Sequence, residues 1–271
     1  DQLSHSIRHS SERAMREAIQ DMKDGSYHHS IQIEGVEGSL SLCCQATIEE
    51  SSLRISFDGT DPCVRQGINV PFCYTNAMAL YSIKCLTIPE LPNNAGSIEP
   101  ISVSAPEGCL LAAKHPAPTG GRHVIGHFVT PLIFGALAES VTSKVQADTG
   151  MMDLMTFQGI HPNGRPISEL FFASGGFGAL QKHDGLNTIP GPSNMAVVPI
   201  EVWEANTGTT IEYKCLLPDS GGPGEARGGL GQEISIRNDT GSVLTAFSMA
   251  NRTQFPATGL FGGLPGRPRE H

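Results

Sequence analysis

The sequence lacks the features that would mark a membrane protein or a nucleic-acid-binding protein. No run of apolar residues approaches the roughly 18 to 20 that a bilayer-spanning helix needs. No basic block is present, the net charge is −9 and the pI is about 5.5, which disfavours binding to nucleic acid or to an anionic membrane. The first residues lack the apolar core of a signal peptide, and there is no initiator Met. We therefore expect a processed chain or part of a longer polypeptide.

Several catalytic and redox motifs are also missing. The seven cysteines are odd in number and include no CxxC pair, which favours free, mostly buried thiols in a reducing cytoplasm over a disulfide or metal framework. Gly-x-Ser-x-Gly, HExxH, GxGxxG and a Walker A loop are absent. The sequence motifs therefore do not identify the chain as a familiar hydrolase or zinc protease, and they indicate no known nucleotide-binding loop.

The hydrophobic pattern predicts an α+β protein with a mixed helical front half and a β-rich back half that is rich in glycine loops. The hydrophobic content of 39% can supply a core. The predicted helices cover residues 3–22, 76–86 with Asn76 as N-cap, and 123–143 with a kink or a break at Pro131. The predicted strands cover residues 31–33, 39–43, 53–57, 101–103, 171–173, 195–202, 210–217, 233–237 and 243–248.

The sequence contains no clear linker between domains. The loop near Gly150 is the best position for a division into a mixed part, residues 1–150, and a β-rich part, residues 151–271. The two parts could also form a single domain.

Small polar residues cluster in residues 57–76, where a strand leads through a turn toward a helix. Asp58 and Asp61 could bind a metal or orient a substrate, but an Asp-Gly turn also uses its carboxylate to cap backbone N–H groups. Asn69 and Tyr74 could bind a small polar substrate or tie the turn to the following helix. The residues alone leave these alternatives open.

Two further patterns carry weaker signals. His123 and His127 have the i, i+4 spacing of metal ligands, with His115 nearby, but the third ligand and the HExxH context are missing. Gly175, Gly176 and Gly178 lie in a loop that resembles a phosphate cradle, although tight backbone packing explains the glycines better. The same choice applies to the six glycines of residues 218–231.

Several blocks in a fixed order resemble the hydantoinase B/oxoprolinase family. These are FDGTDPCVRQGINVPFCYT (57–75), APEGCLL (105–111), ELFFASGGFGALQKHDG (169–185), LLPDSGGPGEARGGLG (216–231) and GLFGGLPG (259–266). The resemblance covers nearly the whole chain and places it in the C-terminal half of a B-type subunit.

The resemblance implies a multi-component, ATP-dependent amidohydrolase that opens a cyclic amide such as a hydantoin, 5-oxoproline or a lactam. A hydantoinase A-type partner would phosphorylate the substrate with ATP and Mg²⁺, which converts a poor leaving group into a good one. Asp58 and Thr60 are then the predicted catalytic residues, and Asn69, Tyr74, Gly175, Gly176 and Gly178 are predicted to contact the small-molecule substrate.

The chain departs from the family pattern at its ends. The block of Asn, Asp and paired His residues in the N-terminal half of family members is absent, so we expect no metal or other cofactor on this chain alone, and a divalent metal would belong to that N-terminal half. The expected partners are that half and the A-type subunit, in a hetero-oligomer. Two alternatives stay open: a subunit of an ATP-dependent ketone carboxylase, or a non-catalytic scaffold half of such a complex.

Overall fold

The computed structural model describes residues 1–193 and 195–271 and divides the chain into two compact units, residues 1–146 and 147–271. Helices and mixed sheets together confirm the predicted α+β class. In the described residues, no helix is long and apolar enough to cross a membrane. Each unit has its own sheet and its own loops.

The first unit is built on a four-stranded sheet covered by helices. The sheet order is β1-β2-β3-β4, antiparallel except for the parallel pair β3–β4. The elements, in chain order, are α1 (Gln2–Gln20), β1 (Gly25–Glu34), β2 (Ser39–Glu49), β3 (Ser52–Ser56), α2 (Phe72–Leu86), α3 (Ala95–Ile98), β4 (Ile101–Ser104), α4 (His123–Gly126) and α5 (Val129–Leu137).

The core of this unit follows from the alternation of apolar and polar residues along the strands. Ile31 and Ile33 on β1, and Leu53 and Ile55 on β3, are almost fully buried, whereas the residues between them face the other side. α5 packs on β1 and β2 and is buried at every residue except Gly135, where a side chain would collide with the ring of a β1 histidine. The glycine therefore lets the helix approach the sheet closely.

Two helix predictions in this unit were wrong in detail. α2 begins at Phe72 with Pro71 at the N-cap, so Asn76 lies inside the helix and not at its cap. The fixed φ of proline is suited to a helix start, and it outweighs the capping signal of Asn76. The helix predicted over residues 123–143 is two helices, α4 and α5, separated at His127 and Phe128. Pro131 is in the first turn of α5, where its missing N–H breaks no helical bond.

The second unit contains a three-stranded antiparallel sheet in the order β6-β5-β9, a separate hairpin of β7 and β8, and one helix. The prediction of a strand over residues 195–202 was wrong, because residues 195–199 carry no regular structure and a helix follows; Asn194 lies outside the described residues. The elements are β5 (Met152–Ile160), β6 (Pro166–Ser174), α6 (Ile200–Thr207), β7 (Thr209–Leu216), β8 (Gln232–Asn238) and β9 (Thr245–Met249).

The core of the second unit surrounds Trp203, the single tryptophan of the chain. Its ring meets Phe157 and Phe171 edge to face, with centroids 5.2 and 4.9 Å away. Such aromatic pairs add about 0.5 to 1.5 kcal/mol each beyond the apolar area they bury. The buried indole N–H donates to the hydroxyl of Thr209 at 3.1 Å, so its polar atom is satisfied.

Candidate functional site

The turn that follows β3 is held against β2 by hydrogen bonds of its own side chains. The Thr60 hydroxyl accepts from the Cys43 N–H at 3.1 Å and donates to the Cys43 carbonyl at 3.3 Å. One Asp61 carboxylate oxygen accepts from the Ser41 N–H at 2.7 Å. Beyond the end of β3, the turn therefore takes the position of a strand beside β2, and Thr60 is buried there.

Asp58 differs from Thr60 and Asp61 because its carboxylate makes no hydrogen bond recorded among the described residues, and the residue is exposed. It lies at the edge of a pocket of about 450 Å³ on the sheet of the first unit. The residues that line this pocket carry two imidazoles, a hydroxyl, two thiols and an amide, in addition to the carboxylate. The lining residues are His28, His29, Ser30, Cys43, Cys44, Gln45 and Asp58.

The register of the sheet brings these pocket residues together. His28 pairs with Gln45 and Ser30 with Cys43, so the four side chains share the face of the sheet that the core does not cover. The sequence analysis missed His28, Ser30 and Gln45. The only available signal was the polar alternation of residues 26–32, which does not reveal the partner strand or its register.

The thiols of this pocket are not prepared for nucleophilic attack. Burial, reinforced by the nearby Asp61 carboxylate, raises the pKa of Cys43, and burial raises the pKa of Cys44 to about 12. Both thiols are therefore protonated at neutral pH, and the thiolate is the reactive form of cysteine. The pocket can hydrogen-bond a small polar molecule and offers Asp58 as a base.

Asn69 is fully buried, and its side-chain amide is saturated with backbone partners. Its oxygen accepts from the Val64 N–H at 2.8 Å, and its nitrogen donates to the carbonyls of Val64, Gln66 and Pro118 at 2.9 to 3.0 Å. These bonds join the loop before α2 to the loop before α4. The structure thus gives Asn69 a loop-fixing role, and its predicted contact with substrate stays a prediction.

We expect Asn69→Ala to lower the free energy of unfolding of the first unit by about 2 to 3 kcal/mol, because it leaves buried backbone groups without partners. Asn76→Ala is the matched control, since Asn76 lies on α2 without a recorded hydrogen bond among the described residues, and we expect a change within about 0.5 kcal/mol. Urea titrations followed by the helical circular dichroism signal test both variants. Equal losses of unfolding free energy in Asn69→Ala and Asn76→Ala would contradict the loop-fixing role of Asn69.

Tyr74 is half-buried in the first turn of α2 and packs against α4, where any side chain at Gly126 would collide with its ring. Burial raises the pKa of Tyr74, and the neighbouring Arg122 cation opposes this. His123 and His127 lie on the same segment with ring centroids 6.2 Å apart. Tyr74 is not among the residues that line the Asp58 pocket.

Burial and nearby positive charge keep the two imidazoles neutral. The pKa of His123 is lowered by burial and by Arg122, and the pKa of His127 is lowered to about 4 by burial and by His123. Across residues 1–193 and 195–271, no three His, Cys, Asp or Glu side chains come together in a way that could hold a metal ion.

The predicted glycine loop of the second unit is enclosed by other backbone segments. The Gly150 N–H donates to the Gly176 carbonyl at 3.0 Å, the Gly175 N–H to the Met151 carbonyl at 2.7 Å, and the Gly229 N–H to the Phe177 carbonyl at 2.9 Å. Side chains at Gly176 or Gly178 would overlap the carbonyl oxygens of Gly229 or Ala147. Close backbone packing therefore accounts for these glycines, and their predicted contact with substrate stays untested.

Two solved structures share the fold of this chain. A nucleotide-free acetone carboxylase superposes with a TM-score of 0.83 over 96% of this chain and 38% of its own, at 17% identity. An ATP-dependent caprolactamase from Pseudomonas jessenii gives a TM-score of 0.77 over 86% and 42%, at 22% identity. At these identities the likeness is one of fold.

Sequence comparisons connect the chain to named relatives. It is 28% identical over 253 residues to a protein assigned as the B-type subunit of a D-/L-hydantoinase of Pseudomonas sp. (strain NS671), covering 87% of this chain and 43% of the relative. It is 27% identical over 249 residues to 5-oxoprolinase 1 of Arabidopsis thaliana, covering 90% and 18%. The chain thus spans less than half the length of these relatives. The family model of hydantoinase B/oxoprolinase matches residues 1–271, and the chain therefore belongs to that family.

Proposed function

We propose that this chain is part of the B-type subunit of a multi-component, ATP-dependent amidohydrolase in the cytoplasm. It opens a cyclic amide, such as a hydantoin, 5-oxoproline or a lactam, after a hydantoinase A-type partner has phosphorylated it with ATP and Mg²⁺. The observation that carries the proposal is the Asp58 pocket, within a chain of the hydantoinase B/oxoprolinase family. The names of the hydantoinase and 5-oxoprolinase relatives support the substrate class.

In this proposal Asp58 is the catalytic base. Its exposed carboxylate accepts a proton from a water molecule, whose oxygen attacks the carbon that carries the phosphorylated oxygen. The proton passes to the ring nitrogen, the C–N bond breaks and the ring opens as an acyl phosphate. A second water molecule then hydrolyses the acyl phosphate to the carboxylate and inorganic phosphate. The hydrogen-bonding groups of His28, Ser30 and Gln45 orient the polar ring. Thr60 acts as a positioning residue, because its hydroxyl fixes the turn to the β2 backbone.

We expect Asp58→Asn, in the native assembly purified with its partner subunit, to lower coupled product formation by about 100-fold, as the loss of a general base does. The melting temperature should change little, because Asp58 is exposed. Glu49→Gln is the matched control, since Glu49 is an exposed carboxylate of the same unit paired only at 3.7 Å with Arg54. A large loss of stability with normal activity per folded molecule would contradict a catalytic Asp58.

The runner-up is a subunit of an ATP-dependent ketone carboxylase, favoured by the superposition on acetone carboxylase over 96% of the chain. ADP release separates the two functions. Release driven by hydantoin, 5-oxoproline or a lactam supports the amidohydrolase, whereas release that requires both bicarbonate and acetone or acetophenone supports the carboxylase. Turnover that survives Asp58→Asn unchanged would favour a scaffold role for this chain.

A further inference from the structure

Two segments of the first unit, one that contains α2 and one that contains α4, have no acidic residue. The chain as a whole has 27 acidic residues and a net charge of −9. Residues 62–89 and residues 108–138 contain no Asp or Glu. The cations that they contain are Arg65, Lys84, Lys114 and Arg122. The formal charges on these two segments are therefore all positive, although Lys114 is paired with Glu107 from the neighbouring loop.

Three side chains with hydrogen-bond donors belong to the contact between α2 and α4 or to the residues directly before it. Tyr74 is fixed by its packing on Gly126, and its phenol lies within electrostatic range of the Arg122 guanidinium. His123 follows Arg122 directly and also responds to its charge. Arg122 is exposed and, among the described residues, forms no salt bridge. A guanidinium without a carboxylate partner is available for an external anion.

His123 supplies an independent observation. Its Nε2 atom is buried and, in the part of the chain that the structure describes, has no hydrogen-bond partner. A buried polar atom without a partner is costly, and such atoms are rare in folded proteins unless an ion, a water or a ligand completes them. The atom belongs to the same group of side chains as Tyr74 and Arg122.

The first turn of α2 adds to the donor set. No side chain caps this 15-residue helix, and no acidic residue lies in its first turn. The N–H groups of Phe72 and Cys73 come before the first helical hydrogen bonds, which Tyr74 and Thr75 donate to the Pro71 carbonyl. Tyr74 is the third residue of the same turn. The positive end of the helix dipole thus lies beside the phenol and reinforces the potential of Arg122.

We propose that Tyr74, Arg122 and His123 form a binding site for an oxyanion, either a phosphoryl group or a carboxylate. Arg122 supplies two parallel N–H donors, the Tyr74 hydroxyl a third, and the His123 imidazole donates through Nε2. None of the three residues is among those that line the pocket of Asp58.

Binding of inorganic phosphate and of acetate to the purified chain, measured by isothermal titration calorimetry, tests the site without requiring catalysis. We expect saturable 1:1 binding of phosphate that weakens about tenfold or more in Arg122→Gln, as the loss of a charge-assisted pair predicts. Tyr74→Phe, which keeps the ring on Gly126, should weaken binding by a smaller factor. Arg54→Gln, at an exposed arginine on the sheet of the same unit, should bind as the unaltered chain does.

The outcomes separate the ligand and the proposals. Phosphate binding tighter than acetate binding assigns the site to a phosphoryl group, and the reverse order assigns it to a carboxylate. Absence of saturable binding to either ion, or equal loss of binding in Arg122→Gln and Arg54→Gln, overturns the site. Such a failure leaves the proposed function standing, because ADP release and the effect of Asp58→Asn are measured separately.

Discussion

Asp148→Asn is expected to lower the free energy of unfolding of the second unit by about 3 to 5 kcal/mol, because it leaves a buried cation without its counter-charge. Asp148 and Arg252 form a salt bridge in which the side chains are only 6% and 4% exposed. The carboxylate also accepts from the Thr149 N–H at 2.7 Å, which the asparagine side chain can still do. The other carboxylate oxygen accepts from the Thr258 N–H at 3.4 Å, which an amide nitrogen cannot do, so the predicted loss combines the charge with this weak bond.

Trp203 provides the measurement, since it is the single tryptophan and lies in the core of the second unit. Its fluorescence in urea reports the unfolding of this unit selectively. Glu212→Gln is the control, because Glu212 pairs with Arg237 at 2.9 Å while both side chains are largely exposed. Exposed salt bridges contribute about 1 kcal/mol or less to the free energy of unfolding. Similar losses of unfolding free energy in Asp148→Asn and Glu212→Gln would show that burial does not make the Asp148–Arg252 salt bridge more stabilising than an exposed one.

Gly176→Ala is expected to destabilise the second unit by about 3 kcal/mol or more, because the added methyl group cannot be accommodated without moving backbone. The new Cβ would lie 1.8 Å from the Gly229 carbonyl oxygen. Relief of this overlap would disturb the bonds from the Gly150 N–H to the Gly176 carbonyl and from the Gly229 N–H to the Phe177 carbonyl. The backbone segments around Gly150, Gly176 and Gly229 would then lose their contacts.

Gly231→Ala is the matched control, since the nearest atom to its added Cβ is the Ser220 hydroxyl oxygen at 3.8 Å, an ordinary contact. We expect its stability to stay within about 1 kcal/mol of the unaltered chain. Trp203 fluorescence in urea again gives the readout. If Gly176→Ala kept normal stability and instead weakened substrate binding in the native assembly, the glycine would contact the substrate as the sequence analysis predicts.

The sequence predicted the fold class and many strands because burial follows the apolar pattern directly. Leu53 and Ile55 alternate with polar residues, and β3 has nearly the predicted bounds. The failures have local causes. In the first unit, α2 begins directly after Pro71, ahead of the capping signal of Asn76. In the second unit, the apolar run of residues 195–202 has the length of a strand and was predicted as one, but a helix begins at Ile200.

The candidate site was predictable only in part, because its residues come from separate elements. Asp58 could be proposed from a turn motif within one segment. His28, Ser30 and Gln45 reach the same pocket through the pairing register of β1 and β2, which a single sequence does not specify. Likewise, the packing of the Tyr74 ring on α4 joins two segments that are far apart in the chain.

The parallel pairing of β3 with β4 has a consequence for the order in which the first unit is completed during synthesis. The segment that carries Asp58 is bonded on one side to β2 and on the other to residues that come much later, through the pairs Leu110 N–H to Asp61 carbonyl and Ala113 N–H to Val70 carbonyl. A ribosome adds residues from the N-terminus onward. A nascent chain that ends before residue 113 therefore lacks the hydrogen bonds on one side of the segment that follows Asp58, and that segment is held on both sides only after residue 113 has emerged.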